Sequence, residues 1–358
     1  MTNRTFRKAT IKEVAEQAGV SVTTVSHFVS GRERTCSAAT AQRITEAIAK
    51  LHYSPSSQGR ALRLGKTHTI GVCTEAIFDP GEHTRESYTE RLWRGISIVA
   101  GEMDYALLHY PPSARVGVSA NPFLDGRVDG IVFSSDHSDS RPELIASAGL
   151  PIIIINRFVS IPPGCGAVYA NERDTVFLAM EHLWSLGHRR IAHVAGPILF
   201  DEHIVRAHNA QSDVAIERHR YYVEWMKERG AYDPALLALE NSWSPQHPAD
   251  VVAGWRQMSS PPTAAFCADD LLAYGIIDAA REAGLSVPGD LSMIGVDNSW
   301  ASASKSPRLT TVDIPVEQIG RESVQALLRS IGGSPIEDCR VAVPVTKLVV
   351  RDSTAPLL

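Results

Sequence analysis

The chain has 358 residues, a hydrophobic share of 44% and a net charge of −5, which exceeds one ordinary domain and supports packed cores rather than a disordered chain. No apolar stretch approaches the ~20 residues of a membrane-spanning helix; the longest, Leu150 to Ile155, contains a proline and ends at Asn156, and no secretory leader follows Met1, so the expected location is the cytoplasm. Five cysteines, at 36, 73, 165, 267 and 339, lack any C-x-x-C spacing, which argues against a disulfide framework or zinc site.

Residues 1–9 carry Arg4, Arg7 and Lys8 and read as a basic arm. Thr10 to Glu13 then forms a capping box, in which the threonine hydroxyl and the glutamate each satisfy one free helix N–H. Ile11, Val14, Ala15 and Ala18 recur at helical spacing, and Gly19 supplies the stop. Ser21 caps a second helix whose inward face is Val25, Phe28 and Val29. Only Gly19 and Val20 separate the two helices, so they must cross steeply, and Ala15 and Ala18 leave room for it. This is the layout of a helix-turn-helix, whose second helix enters the DNA major groove. A third helix begins at Ser37, and its stripe of Ile44, Ala47, Ile48 and Leu51 closes a small core. Spacing alone fits any small helical bundle; charge favours DNA. Residues 1–66 hold eleven lysines and arginines against four glutamates, a net of +7 that leaves −12 on the remainder.

These residues resemble a LacI-type transcriptional repressor. The matching pieces are TIKEVAEQAGVSVTTVSHFVSG, a third helix ending in LHYSPS, the stretch GRALRLGKTHTIGV, and, further on, HLWSLGHRRIAHVAG, TAAFCADDLLAYGIIDAAREAGLSVPGDLSMIGVDN, SPRLTTVDIP and LVVRDST. TTVSH followed by LHYSPS is most similar to purine-repressor headpieces. The resemblance implies that Val22, Thr23 and His27 read bases: Thr23 and His27 by hydrogen bonds, Val22 by apolar contact. Thr24 and Ser26 are expected to position the helix on phosphates. Thr10, Ser21, Tyr53, Ser56 and Arg60 join the implied DNA-facing set.

Pro55 to Arg63 is the expected hinge. Ser56 caps a helix too short to be stable alone, weakened further by Gly59 at about 1 kcal/mol relative to alanine. It is expected to form only when two copies pair on DNA. By resemblance Leu62 is the wedge that opens the minor groove, with Arg63 beside it; the alternative is a plain linker.

From Thr69 onward, apolar strands alternate with amphipathic helices, the pattern of parallel sheets covered on both faces. No GxGxxG or GxxxxGK[ST] fingerprint occurs at a strand-to-helix turn, and no cofactor or metal is expected. Two such lobes resemble the periplasmic-binding-protein fold, in which a cleft closes on a small molecule. The expected division is a headpiece at 1–54, a hinge and linker at 55–68, and an effector-binding and dimerisation domain at 69–358. Crossings near Ala170, Ser302 and Ile331 would give an N-lobe of 69–169 with 303–330 and a C-lobe of 170–302 with 331–358. The full fold class is an all-α headpiece plus an α/β periplasmic-binding-protein-like core.

Ligands of parallel sheets gather at the carboxyl ends of the strands. That rule places Asn156, Asp269 and Asp297 in the cleft, and Arg218 matches the family's effector-binding arginine. Asp270 is expected to cap the helix that follows it. Helix capping is also the competing role for Asp269 and Asp297. Arg157 is left either in the cleft or in a salt bridge on its rim. TEAIFDPGEHTRESYTERLW departs from the family pattern, with Phe78 or Tyr88 either stacking on a ligand ring or packing the loop. Tyr221 stands where glycine is usual. No leucine heptad follows LVVRDST, so a homodimer on a pseudo-palindromic operator is the expected assembly.

Two rivals remain. A transport solute-binding protein has no use for a basic helix-turn-helix. An α/β enzyme would draw on His188, His193 and the ADD carboxylates, but no nucleophile elbow, metal spacing or phosphate loop accompanies them. The expected function is a non-enzymatic repressor controlled by a sugar-like or purine-like effector.

Overall fold

In the computed structural model the described residues are 9–29, 36–54, 65–74, 88–110, 121–134, 139–198, 212–240, 242–243 and 245–357. The chain divides into two compact units, Met1–Thr67 and His68–Leu358.

The first unit contains three helices: α1 (Ile11–Ala18), α2 (Val22–Val29) and α3 (Ala38–Leu51). The capping box is present. Glu13 N donates to Thr10 Oγ1 at 3.4 Å, and Thr10 N donates to Glu13 Oε2 at 2.7 Å. Gly19 ends α1 in the left-handed region at φ 62°, where a Cβ is costly. Ser21 Oγ accepts Thr24 N at 3.1 Å and Ser37 Oγ accepts Thr40 N at 3.3 Å, so both expected caps are made. Val14, Ala15, Ala18, Val25, Ile44 and Ala47 are buried together, with Phe28, Ile48, Leu51 and Tyr53 packed around them.

The second unit holds two six-stranded sheets. The first has the order β11-β5-β4-β3-β1-β2, from β1 (Thr69–Cys73), β2 (Ala106–Tyr110), β3 (Gly130–Ser134), β4 (Ile152–Ile155), β5 (Gly166–Ala170) and β11 (Arg340–Val343). Its neighbours all pair in parallel. The second has the order β12-β10-β9-β8-β6-β7, from β6 (Ile191–Ala195), β7 (Leu237–Leu239), β8 (Ala264–Cys267), β9 (Ser292–Val296), β10 (Thr310–Val312) and β12 (Leu348–Val349). Only its edge strand β12 runs antiparallel, against β10. Among the described residues eight helices accompany the sheets: α4 (Tyr88–Glu102), α5 (Arg141–Ser147), α6 (Glu172–Ser185), α7 (Asp213–Glu228), α8 (Pro248–Gln257), α9 (Asp270–Glu282), α10 (Trp300–Ser304) and α11 (Val316–Ile331). β4 is buried along its whole length, as its four isoleucines require of a central parallel strand.

The strand order moves two of the three expected crossings. The chain leaves the first sheet after Ala170, as the sequence indicates. It returns only after β10, which pairs with β9, so Ser302 lies within the second half and the return falls at Asp313–Pro315. It leaves again only after β11, which pairs with β5, so Ile331 lies within the first half. The cause is the shortness of β10 and β11, at three and four residues; neither stretch shows a run long enough to stand out as a strand.

Helices α4 and α11 cover one face of the first sheet and cross at two glycines. A Cβ on Gly95 would lie 2.0 Å from Glu317 O, and one on Gly320 would lie 2.3 Å from Leu92 O. Backbone meets backbone at that crossing, and any larger residue would force the helices apart. No helix among the described residues is long and apolar enough to cross a membrane.

Candidate functional site

A cavity of about 320 Å³ opens at the carboxyl ends of the strands of both sheets. Thr74, Ser134, Asn156 and Ala170 reach it from the ends of β1, β3, β4 and β5; Asp269 and Asp297 reach it from the ends of β8 and β9. All four residues expected to bind an effector, Asn156, Arg218, Asp269 and Asp297, line it. Two of them hold backbone conformations that L-residues rarely adopt: Asn156 at φ 61° and Asp297 at φ 107°, with Asn298 next to it at φ 51°. Strain of this kind persists only where the surroundings enforce it, and it gathers at functional sites.

Asn156, Arg218 and Asp269 each have a fixed partner. Asn156 Nδ2 donates to Tyr88 Oη at 2.6 Å, so Tyr88 belongs to the cavity wall rather than to loop packing. Phe78, its alternative, lies outside the described residues. Arg218 is buried and grips Glu172, with Nε to Oε2 at 2.6 Å and Nη2 to Oε1 at 3.3 Å, while Nη1 donates to Ala268 O at 2.5 Å. Burial opposes the arginine's charge, but the carboxylates around it, Glu172 first and then Asp297 and Asp269, together hold the guanidinium protonated above its usual range. Asp269 is the N-cap of α9, accepting Leu272 N at 2.7 Å through Oδ1. Burial and the neighbouring Asp297 charge push its carboxyl up to about 7. Burial also raises Asp297, against the pull of Arg218 and Arg91.

Asp270 corrects an expectation. It does not cap α9; that role belongs to Asp269, whose backbone is extended. As the first helical residue, Asp270 instead turns toward β9 and β10, accepting Ser299 N at 2.7 Å and Thr311 Oγ1 at 2.6 Å. Gly295 makes space for it, since a Cβ there would sit 2.4 Å from Asp270 Oδ1. Arg157 is likewise decided: it pairs with Glu143 at 3.1 Å and is not among the cavity residues. Tyr221 packs beneath Arg220, whose guanidinium lies 4.0 Å from the ring centroid.

Sequence reasoning missed Glu172 and Trp243, which also line the cavity. Glu172 reads locally as an acidic first-turn helix residue, and only its approach to Arg218 reveals more. Trp243 is seated by Gly196, where a Cβ would meet the indole at 2.5 Å. The histidines offered by the enzyme rival are structural. His188 bonds to Thr263 Oγ1 and Ala355 O, and His193 is fully buried, stacked with Phe266 and Tyr222. Among the described residues no cluster of His, Cys, Asp or Glu could hold a metal ion.

In the headpiece, Val22 is 41% exposed at the start of α2 and Thr23 is exposed beside it, while Ser26 and His27 are half-buried further along. Thr10, Ser21 and Thr24 have their hydroxyls in caps, with Ser21 Oγ and Thr24 Oγ1 also 2.8 Å apart. Tyr53 packs on the headpiece core. Ser56, Arg60, Leu62 and Arg63 lie outside the described residues.

Residues 10–56 match the family described as bacterial regulatory proteins, lacI family, and residues 180–354 match a periplasmic binding protein-like domain. The HTH-type transcriptional repressor PurR of Vibrio vulnificus is 30% identical over 366 residues, covering 96% of this chain and 98% of its own. PurR of Erwinia tasmaniensis is 30% identical, covering 97% of both. Among solved structures, a lac repressor dimer bound to operator and the anti-inducer ONPF superposes with a TM-score of 0.77 at 25% identity, over 98% of this chain and all of that one. A LacI family regulator from Enterococcus faecium with bound ribose gives a TM-score of 0.62 at 26% identity, over 81% of this chain and all of that one.

Proposed function

The chain belongs to the lacI family of bacterial regulatory proteins, and from that premise we propose how its two units divide the work of an effector-controlled repressor. The protein is a DNA-binding transcriptional repressor of the LacI/PurR type and not an enzyme. It works as a dimer on operator DNA under the control of a small molecule held in its periplasmic-binding-like part.

The proposed division is a headpiece at 1–54, a hinge at 55–68 and an effector and dimerisation body from 69 onward. Within the headpiece, Val22, Thr23 and His27 read bases in the major groove, while Thr10, Ser21, Thr24, Ser26 and Tyr53 sit along the phosphates. Ser56, Arg60, Leu62 and Arg63 form the hinge contacts, with Leu62 as minor-groove wedge. Bound operator holds the protein at the nucleoid. Asn156, Arg218, Asp269 and Asp297 hold the effector.

The observation that carries this reading is the coincidence of two features in one chain. An exposed, uncharged helix start at Val22 and Thr23 stands on a three-helix core within an N-terminal segment of net +7, and the four expected effector residues meet in one strained cavity. The supporting relatives bind ONPF and ribose, which favours a sugar-like effector, while the headpiece pattern and the PurR relatives favour a purine-like one. The test is selection of genomic fragments by the full chain against bulk competitor DNA, with footprinting of the enriched site. Two symmetric protected half-sites are expected; no enrichment over competitor would refute the reading.

A further inference from the structure

We propose that the cavity is built for a ligand that carries a protonated amine among hydroxyl groups, of the amino-sugar or amino-polyol class, and that Asp269 is the residue that selects it. The proposal rests on reading the cavity as the effector site.

The charge pattern of the wall is lopsided. Its described lining holds three carboxylates, Glu172, Asp269 and Asp297, and one cation, Arg218. That cation is spent. Its Nε and Nη2 hold Glu172, and its Nη1 holds the Ala268 carbonyl. Glu172 and Arg218 thus bind each other first, and although Arg218 also lowers Asp269 and Asp297, no lysine or second arginine joins it among the described lining residues. Arg91, which is not among the described lining residues, binds the main chain of Asp297. Its Nη1 binds the Asp297 carbonyl at 3.0 Å, and its Nη2 is shared between Asp313 Oδ1 and Ile314 O. Asp297 thus has a second counter-charge in Arg91, whereas Asp269 has only the pull of Arg218, which is already bound to Glu172.

Asp269 also has hydrogen-bonding capacity left over. Oδ1 accepts Leu272 N, and Oδ2 receives no donor among the described residues. The side chain is nearly buried, with 8% of the residue exposed. An ionised carboxylate in such a place is costly without a partner. Its raised titration, caused by burial and by Asp297, is the unliganded response to that cost. A bound ammonium removes the cost: it supplies the missing charge and up to three donors, which suit the open acceptor of Asp269. A neutral polyol fills the acceptors but leaves the charge. A neutral purine can offer N–H donors to the carboxylates but, like a polyol, brings no positive charge. A phosphate or carboxylate is repelled outright. Trp243, whose ring lies against Gly196, adds an aromatic wall that favours a cation or the C–H face of a sugar.

The test uses the full chain and matched probes by calorimetry at pH 7.5: D-glucosamine, D-galactosamine and 1-amino-1-deoxysorbitol, each against its hydroxyl counterpart, with glucosamine 6-phosphate and gluconate as anionic members. At least one amine is expected to bind tenfold or more tightly than its hydroxyl counterpart. Asp269→Asn, which keeps a competent helix cap, is expected to erase about tenfold of that preference, while Asp269→Glu retains part of it; circular dichroism checks both folds. Equal binding of amine and hydroxyl, preference for an anionic probe, or an unchanged preference in Asp269→Asn would each overturn the proposal. If a neutral sugar alone binds, and Asp297→Ala abolishes that binding, amine selection fails and the effector site stands. If no probe binds, amine selection fails; if no purine or neutral sugar binds either, the effector reading fails with it.

Discussion

Asp269 shows at the scale of one residue how a site and a structural role share a side chain. One oxygen caps α9 and the residue also lines the cavity, so the cap reading is realised and the proposed ligand role is compatible with it. Its titration has a consequence for stability. Asp269 and Asp270 both stand near 7 in the folded chain, against an ordinary value of 3.8. Between those values these two carboxyls bind more protons in the folded state than in the unfolded one, so their contribution to stability falls as pH rises through that window, while the buried His193, held down to about 3, acts in the opposite sense up to its ordinary 6.5. The unliganded protein is therefore expected to melt higher at pH 5 than at pH 8, with a shallower dependence in Asp269→Asn; thermal denaturation across that range checks it. Glu172→Ala strips the buried Arg218 of its partner and is expected to cost about 3 kcal/mol in urea unfolding, the low end for a broken buried pair because the cavity admits water. Asn156, Asp269 and Asp297 were legible because each ends an apolar strand at a turn. Glu172 was not, because its partner lies 46 positions away in sequence. In the headpiece, His27→Ala is expected to relax preference at one base step, read by binding to a panel of single-base operator variants; uniform weakening on every sequence would refute base reading there.

Among the elements, the crossing of α4 and α11 is the tightest constraint. Both glycines touch the opposing backbone, so Gly320→Ala is expected to destabilise the body by about 1–3 kcal/mol, the range for overpacking a close contact, measured by chemical denaturation. Arg91 on α4 has a different task. It binds Asp297 O at the cavity, and Asp313 and Ile314 at the second crossing, while Asp313 also accepts Lys347 Nζ at 2.8 Å from the third. One guanidinium thus ties the cavity floor to the chain segments that join the two sheets. Arg91→Ala is expected to leave effector affinity within about threefold but to reduce the effect of effector on operator binding, which a paired titration measures. The helices and long strands could be read from hydrophobic period and caps; Thr10, Ser21 and Ser37 each cap as their residue types indicate. The short strands β10 and β11 could not, because three or four residues carry no period, and the crossings were displaced with them.

Across the whole molecule, charge and topology assign complementary tasks. The first 66 residues carry +7 and the remainder −12, which suits a unit that binds phosphates and a body that does not compete for them. In the body, two largely parallel sheets turn the ends of their strands toward one cavity lined by residues of both. A ligand can shift the repressor between states only by its differential affinity for them, a coupling typically of 1–3 kcal/mol.

The most direct measurement is operator affinity of the full chain, by fluorescence anisotropy at fixed salt, with and without a ligand found to bind the cavity, on wild type and Asp297→Ala. The predicted result is a change in operator affinity of roughly 5- to 150-fold on adding ligand, absent in Asp297→Ala. An operator affinity in the wild type that does not move while the cavity is saturated would contradict the account.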